Sequence, residues 1–277
     1  MIPKVIHYCW FGGNPLGENE LACIESWRKY LPGYEIRRWD ETNWNVRCCD
    51  YVAEAYDAKK WAFVSDYARL DILYREGGLY FDTDVELIRP IDDILKHGPF
   101  MGIETDFGSF SSSKSPEFEL TVAPGLGLAA NPGLDLYGAL LASYEGDHFI
   151  NEDGSFNTST IVTRTTKILF EHGLKMRNGI QEVDGVTIYP ADFFNPKDMW
   201  TGDIVVTGNT RSIHHFSMSW LSEKDLFEHR VGKHLRKLGL PDSVVFKLSA
   251  LLEIVRFFDV ERFLNRFNFS FFKGANS

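Results

Sequence analysis

Apolar positions along the chain fall into two alternating kinds of block. KVIHYCW, YEIRRW and PFMGIE are short apolar runs, rich in β-branched and aromatic residues and set off by Gly or Pro, and they predict strands. Between the first two, NELACIESWRKYL places Leu21, Ile24, Trp27 and Leu31 at three- and four-residue steps, the spacing of one helix face. The opening is thus strand, helix, strand, the signature of an α/β layer. YVAEAYDA predicts a further helix, and AFVSDYARLDILYRE a longer one with Phe63, Val64, Tyr67, Leu70 and Tyr74 on its apolar side. Gly77-Gly78 ends that helix, because a left-handed cap there carries no Cβ penalty.

LYFDTDVEL then reads as a strand, RPIDDIL as a short helix, and 106–118 as a polar, Ser-rich loop. GLGLAANPGLDLYGALLASYE reads as strand, turn, helix, and short strands are expected at VTIYP, DIVVT and SIHHF. DLFEHRVGKHLRKLG, SVVFKLSALLEIVRFF and VERFLNRF read as amphipathic helices.

Charge divides the chain. From Lys224 onward ten basic side chains face six acidic ones, although the whole carries −10. Phe also becomes dense there and Gly scarce, so a boundary is expected near residue 222, with 1–222 as the main domain and 223–277 as a helical extension. The acidic balance argues against nucleic acid, whose binding draws on a basic surface. No run of about 18 apolar residues predicts a spanning helix. The start, MIPKVIHYCWFGGNP, is interrupted too early by Gly and Pro to predict a signal peptide. Cys9, Cys23, Cys48 and Cys49 lack metal-ligand spacing, and a reduced cytoplasmic setting is expected.

Candidate chemistry centres on Asp82 and Asp84. On a strand, alternate residues share a face, so both carboxylates would project into one volume and call for a cation between them. At a strand's carboxyl end in an α/β protein, such a pair suits a hard divalent ion, Mn²⁺ or Mg²⁺, that also holds phosphate oxygens. YFDTDV resembles the nucleophile motif of the haloacid-dehalogenase phosphatases, which would make the chain a phosphohydrolase. That motif ends the first strand of its family's fold, whereas here two strands and three helices precede it, and no downstream acid pair completes the site.

IPKVIHYCWFGG, FVSDYARLDILYREGGLYFDTDVEL and SIHHFSMSW resemble, in order over roughly residues 2–220, the three hallmark blocks of glycosyltransferase family 32. That resemblance implies a GT-A type, Rossmann-like mixed sheet flanked by helices, with the small helical extension appended. It implies a metal-dependent, retaining hexosyltransferase using a nucleotide sugar, UDP-hexose favoured and GDP-sugar allowed, on a glycan or lipid-linked glycan acceptor of bacterial capsule, O-antigen or exopolysaccharide assembly.

Carried residue by residue, Trp10 stacks on the base, Asp66 and Arg69 contact the donor, and Tyr80 touches the pyrophosphate or sugar. Asp84 binds the metal, and Asp82 reaches the ribose or the metal's water shell. His215 completes the metal site, with Ser219 and Trp220 closing over the diphosphate. Strand alternation sends His214 to the opposite face from His215. Asn131, Asn157 and Asp192 are further pocket candidates, and no nucleophile is expected. The non-enzymatic alternative is a sugar-nucleotide or glycan-binding module. The tail is either a cap on the catalytic domain or a peripheral contact with the inner face of the membrane. In the second case Lys233, Arg236 and Lys237 meet anionic lipid, and Phe257, Phe258, Phe271 and Phe272 anchor it.

Overall fold

The computed structural model describes residues 1–105, 120–177, 179–218 and 221–257. The Ser-rich segment 106–118, the helix expected at 260–267, and Phe258, Phe271 and Phe272 lie outside the described residues. The chain forms two compact units, one from residues 1–197 and 204–217, the other from 198–203 and 218 onward.

The larger unit runs β1 (Val5–Cys9), α1 (Glu18–Tyr30), β2 (Glu35–Trp39), α2 (Asp50–Asp57), α3 (Trp61–Glu76), β3 (Gly78–Tyr80) and β4 (Val85–Leu87). It continues through α4 (Asp92–Leu95), β5 (Phe100–Thr105), β6 (Thr121–Val122), β7 (Leu128–Ala130), α5 (Asp135–Ala142) and α6 (Ile161–Glu171). β8 (Gln181–Val183), β9 (Val186–Tyr189), α7 (Ala191–Phe194) and β10 (Ser212–His214) complete it.

The main sheet is mixed, in the order β2-β1-β3-β7-β5-β9-β8 with β6 added to β5. β1 is parallel to β2 and to β3, as a strand–helix–strand opening requires, whereas β7 is antiparallel to β3 and β5. Helices α2, α3, α5 and α6 cover one apolar layer, which includes Val52, Leu70, Leu140 and Leu169. The other layer gathers Trp27 of α1, Phe81 just after β3, Val85 and Leu87 of β4, and Phe193 and Phe194 of α7. The expected class, α/β with a mixed sheet flanked by helices, is what the chain adopts.

Several local expectations change. LYFDTDVEL is not one strand: β3 stops at Tyr80, and β4 pairs antiparallel with β10 in a separate two-stranded sheet. DIVVT forms no strand beyond a single bridge from Ile204 to Lys197, and Val205 is exposed. Leu21 is exposed, and Cys23 takes a buried place on α1 instead. On α3 the stripe is too narrow: α2, α5 and β1 all pack on this helix, so Ala68, Arg69 and Ile72 are buried too, while Tyr74 is partly exposed.

The end of α3 is locked to β1 through a buried imidazole. Trp39 Nε1 donates to His7 Nδ1 at 2.9 Å, which leaves the proton on Nε2 to be donated to Gly77 O at 3.0 Å. Gly77 has φ +65°, the left-handed region that frees the chain to turn from α3 directly into β3. Burial lowers the His7 pKa to about 4, so the ring is neutral.

In the smaller unit, α8 (Glu223–Lys237) and α9 (Asp242–Phe257) pack together. Ser222 caps α8 by accepting from Asp225 N. Arg236 pairs with Asp242 at 2.9 Å and lies over the Trp200 ring. Among the described residues, no helix is long and apolar enough to cross a membrane.

Candidate active site

Asp82 and Asp84 flank a turn. Val85 N donates to Asp82 O at 3.0 Å, and this reversal, rather than a pleat, brings the two carboxylates together. One oxygen of each and a ring nitrogen of His214 lie within 4.8 Å of one another.

The Asp82 side is anchored in α3. Arg69 Nη1 donates to Asp82 Oδ2 at 3.1 Å, Nη2 to Asp66 Oδ1 at 3.0 Å, and Nε to Ser65 O at 3.1 Å. Tyr80 OH donates to Asp82 Oδ1 at 3.0 Å, and its ring centre lies 4.8 Å from the guanidinium. The Asp66–Arg69 pair is no solvated helix pair, since the Arg69 side chain is 5% exposed. Burial opposes the guanidinium charge, but Asp82, Tyr80 and Asp66 outweigh it and raise the pKa. Burial pushes the Asp66 carboxyl up to about 6 against the pull of Arg69. The other Asp66 oxygen accepts from Ile161 N, at the start of α6, at 3.4 Å. Gly125 lets the chain pass close: its carbonyl accepts from Asp82 N, and a Cβ there would collide with Asp82 Oδ2.

The Asp84 side is anchored in β10 and the loop after it. His214, paired across β4 with Val85, places Nε2 3.1 Å from Asp84 Oδ1. Ser217 N donates to Asp84 Oδ2 at 2.8 Å. Phe216 and Met218 have positive φ, and this tight path turns the Ser217 N–H inward. Burial opposes ionisation of Asp84, yet His214 and the Ser217 contacts hold its carboxyl well below the usual carboxylate range. Burial also opposes charge on His214, but Asp84, then Asp82 and Glu104, raise its pKa.

The histidine expected at the metal is therefore displaced by one residue. His215 Nε2 faces Glu86 Oε2 at 2.9 Å, while its backbone is held by Asp84 O and by Lys197 Nζ. His214 is the imidazole beside the two aspartates. β10 ends at His214, so alternation does not carry through the pair; the family resemblance points to His215, and strand alternation is what sets aside the His214 ring that lies beside the acids.

Trp10 follows β1 at the same sheet end where Asp82 follows the parallel β3. It is half-buried, and its Nε1 donates to Asn14 O at 2.7 Å. Ser219 and Trp220 lie outside the described residues. Asn157 bonds His148 O and Ser159 N within its own loop, and Asp192 accepts from Thr207 and Asn209. Asp192 does not join the Asp82–Asp84–His214 group, and Asn131 Oδ1 is buried without a hydrogen-bond partner among the described residues.

Two carboxylate oxygens and one imidazole nitrogen converging from different elements suit a divalent ion such as Mn²⁺ or Mg²⁺. The fit is supported by the pairing already present: Asp84 is held ionised and faces a ring nitrogen, so two donors are aimed at one place.

Residues 17–101 match the protein family described as a glycosyltransferase sugar-binding region containing DXD motif. The matched segment runs from the approach to α1 into β5 and contains Asp82-Thr83-Asp84. The chain is 25% identical over 198 residues to glucan organizing enzyme 1 of Cryptococcus neoformans var. grubii, covering 72% of this chain and 48% of that protein. It is 33% identical over 100 residues to inositol phosphoceramide mannosyltransferase 3 of Schizosaccharomyces pombe, covering 35% of this chain and 28% of that one. This chain thus spans less than half the length of these curated relatives. Among solved structures, the PaToxG glycosyltransferase aligns with TM-score 0.42 at 16% identity, covering 61% of this chain and 69% of that one.

Proposed function

We propose that this chain is a metal-dependent, retaining GT-A type glycosyltransferase moving a hexose from a nucleotide sugar to a glycan or lipid-linked glycan acceptor. A UDP-sugar is favoured over a GDP-sugar. The observation that carries this reading is the convergence of His214 with Asp82 and Asp84, two acids in the segment that matches a DXD sugar-binding region. The glucan and mannosyl names of two relatives favour a hexose.

Breaking the anomeric C–O bond leaves negative charge on a nucleoside diphosphate. A divalent ion held by Asp82, Asp84 and His214 would supply the charge that stabilises this leaving group. Arg69 has its guanidinium committed to Asp66, Asp82 and Ser65, so its part is to fix both acids rather than to meet the diphosphate. Asp66 and Asp82 then offer oriented acceptors for sugar or ribose hydroxyls, and the half-buried Trp10 indole offers a face to the base. With retention, the departing phosphate takes the acceptor's proton, and no protein nucleophile is called on.

The setting fits bacterial surface-polysaccharide assembly in the cytoplasm, with 223–277 as an extension touching the inner membrane face. Arg236 is paired with Asp242, so exposed Phe246, Leu251, Leu252 and Val255 of α9 are the better apolar contacts. Sedimentation with anionic vesicles tests this: a Val255→Asp, Phe246→Asp chain that sediments as fully as the unaltered chain refutes the membrane contact.

The function itself is tested by nucleotide release from UDP- and GDP-sugars, with Mn²⁺ and with chelator. Slow, Mn²⁺-dependent hydrolysis of one donor is expected. Absence of both turnover and metal-dependent binding of UDP or GDP would overturn the reading.

A further inference from the structure

Phe216 is left-handed, with φ +54°. A residue other than glycine stays in that region only when its surroundings hold it there. Here the hold matters, because the turn aims Ser217 N–H at Asp84 Oδ2, 2.8 Å away. The peptide that enters Phe216 is planar, with its amide hydrogen on Phe216 and its oxygen on His215. Whatever fixes that oxygen therefore fixes the plane from which the left-handed turn starts. Lys197 Nζ donates to His215 O at 2.6 Å, and a charged donor holds a carbonyl more firmly than a neutral one.

Lys197 is itself tied into the larger unit. Two residues earlier, Asn195 Nδ2 donates to Glu104 O of β5 at 3.0 Å, and Asn195 N to Ala191 O of α7 at 2.7 Å. Lys197 also forms an antiparallel bridge with Ile204. The start of β10 is fastened to the same stretch, Arg211 N donating to Phe193 O at 2.7 Å and Ser212 Oγ to Phe194 O at 3.3 Å. Just past the other end of β10, His215 N donates to Asp84 O at 2.9 Å. Lys197 is the tie that joins this end to the stretch after α7.

We infer that Lys197 is a positioning residue: its ammonium holds the His215–Phe216 peptide so that Ser217 N–H stays aimed at Asp84 Oδ2, leaving Asp84 Oδ1 beside His214. It acts through the loop and Asp84. Its purpose rests on the metal-dependent reading, but the bond from Ser217 to Asp84 belongs to the metal-free chain and can be measured there.

The experiment has two readouts on the full chain at one fixed pH. In the metal-free, ¹⁵N-serine-labelled protein, the amide proton of Ser217, assigned by the loss of its resonance in Ser217→Ala, should lie downfield, as an N–H on a carboxylate does. It should move upfield in Lys197→Met and return most of the way in Lys197→Arg, whose guanidinium can still donate to the carbonyl. The amides of Ser26 on α1 and Ser65 on α3 are the controls and should stay in place. Mn²⁺ affinity, read by electron paramagnetic resonance without donor sugar, should fall about 10-fold in Lys197→Met, with most of it restored in Lys197→Arg. A Ser217 amide that moves no more than the two controls overturns the inference, and Lys197→Gln, a shorter and neutral donor, keeps this test available if the methionine variant does not fold. A Ser217 amide that moves while Mn²⁺ affinity holds overturns it too, since Lys197 would then serve the fold alone. If the amide moves as expected but the unaltered chain binds no Mn²⁺, the hold of Lys197 on the loop stands and the metal-dependent reading falls.

Discussion

Asp82 takes its hydrogen bond from a buried guanidinium on α3, whereas Asp84, two residues on, takes its bonds from an imidazole and a loop N–H. The guanidinium is charged at every accessible pH and its three kinds of nitrogen are all committed. The imidazole can lose its proton, and it arrives on a short strand outside the main sheet. One half of the motif is thus built into the scaffold, while the other is held by groups that can exchange a proton for a metal ion. Under the proposed function, a site that binds and releases a charged leaving group each cycle would gain from this division: the fixed half keeps the geometry, and the labile half can be refilled.

The largest expected effect separates the two halves directly. Arg69→Met would leave Asp66 and Asp82 without their buried counter-charge, at a cost of about 3–5 kcal/mol in urea denaturation. Asp84→Asn keeps an oxygen for Ser217 N and should cost no more than about 1–2 kcal/mol, yet lower Mn²⁺-dependent donor turnover by about 100-fold or more. Equal stability losses in the two variants would break the distinction.

The two buried histidines extend the contrast. His214 is raised by surrounding acids, while burial lowers His7 to about 4. An unfolded His7 takes up its proton near 6.5 and the folded ring resists until about 4. Its contribution is therefore complete above pH 6.5 and lost as the pH falls through about 4, a total of about 3 kcal/mol. His7→Gln should flatten the fall of stability between those values by up to one proton, measured by denaturation at several pH values. An unchanged slope would show that this imidazole is not held neutral.

Gly125→Ala tests how closely the scaffold half is packed. The new methyl would meet Asp82 Oδ2, and overpacking of this kind costs about 1–3 kcal/mol. Gly208→Ala, with open space around its Cβ position, is the control and should change stability by less than about 0.5 kcal/mol. Mn²⁺ affinity should fall only in the first variant.

How much of this was legible beforehand depended on the range of the interactions. Periodicity found α1, α3 and the order of the early strands because those signals are local. Asp82 and Asp84 were visible as a pair, though for a faulty reason: the chain reverses between them, and no single-strand pattern reveals a turn stabilised by Val85 N and Asp82 O. His214 was misjudged because the end of β10 is set by pairing with β4, more than a hundred residues away in sequence. The strand expected at DIVVT failed for a related reason, since its apolar run finds only one bridge partner. Gly125 carried no local signal at all; it matters through its close approach to Asp82.

The smallest effect is the most discriminating. Tyr80→Phe removes one hydroxyl and leaves the ring beneath the Arg69 guanidinium, so packing is conserved while the bond to Asp82 Oδ1 and a contact with the Cys9 thiol are lost. A hydrogen bond to a charged group is worth about 1.5–3 kcal/mol. The lower end is expected, because Arg69 still neutralises Asp82. If Asp82 belongs to the scaffold, the variant should lose about 1.5 kcal/mol of stability while its Mn²⁺ affinity stays within about threefold, since Asp84 and His214 are untouched. The reverse result, unchanged stability with clearly weaker Mn²⁺ binding, would mean that the Tyr80 hydroxyl orients Asp82 for the ion rather than for the fold. Asp82 would then have to be grouped with Asp84 as an exchangeable ligand, and Arg69 with Asp66 would remain as the fixed part of the site.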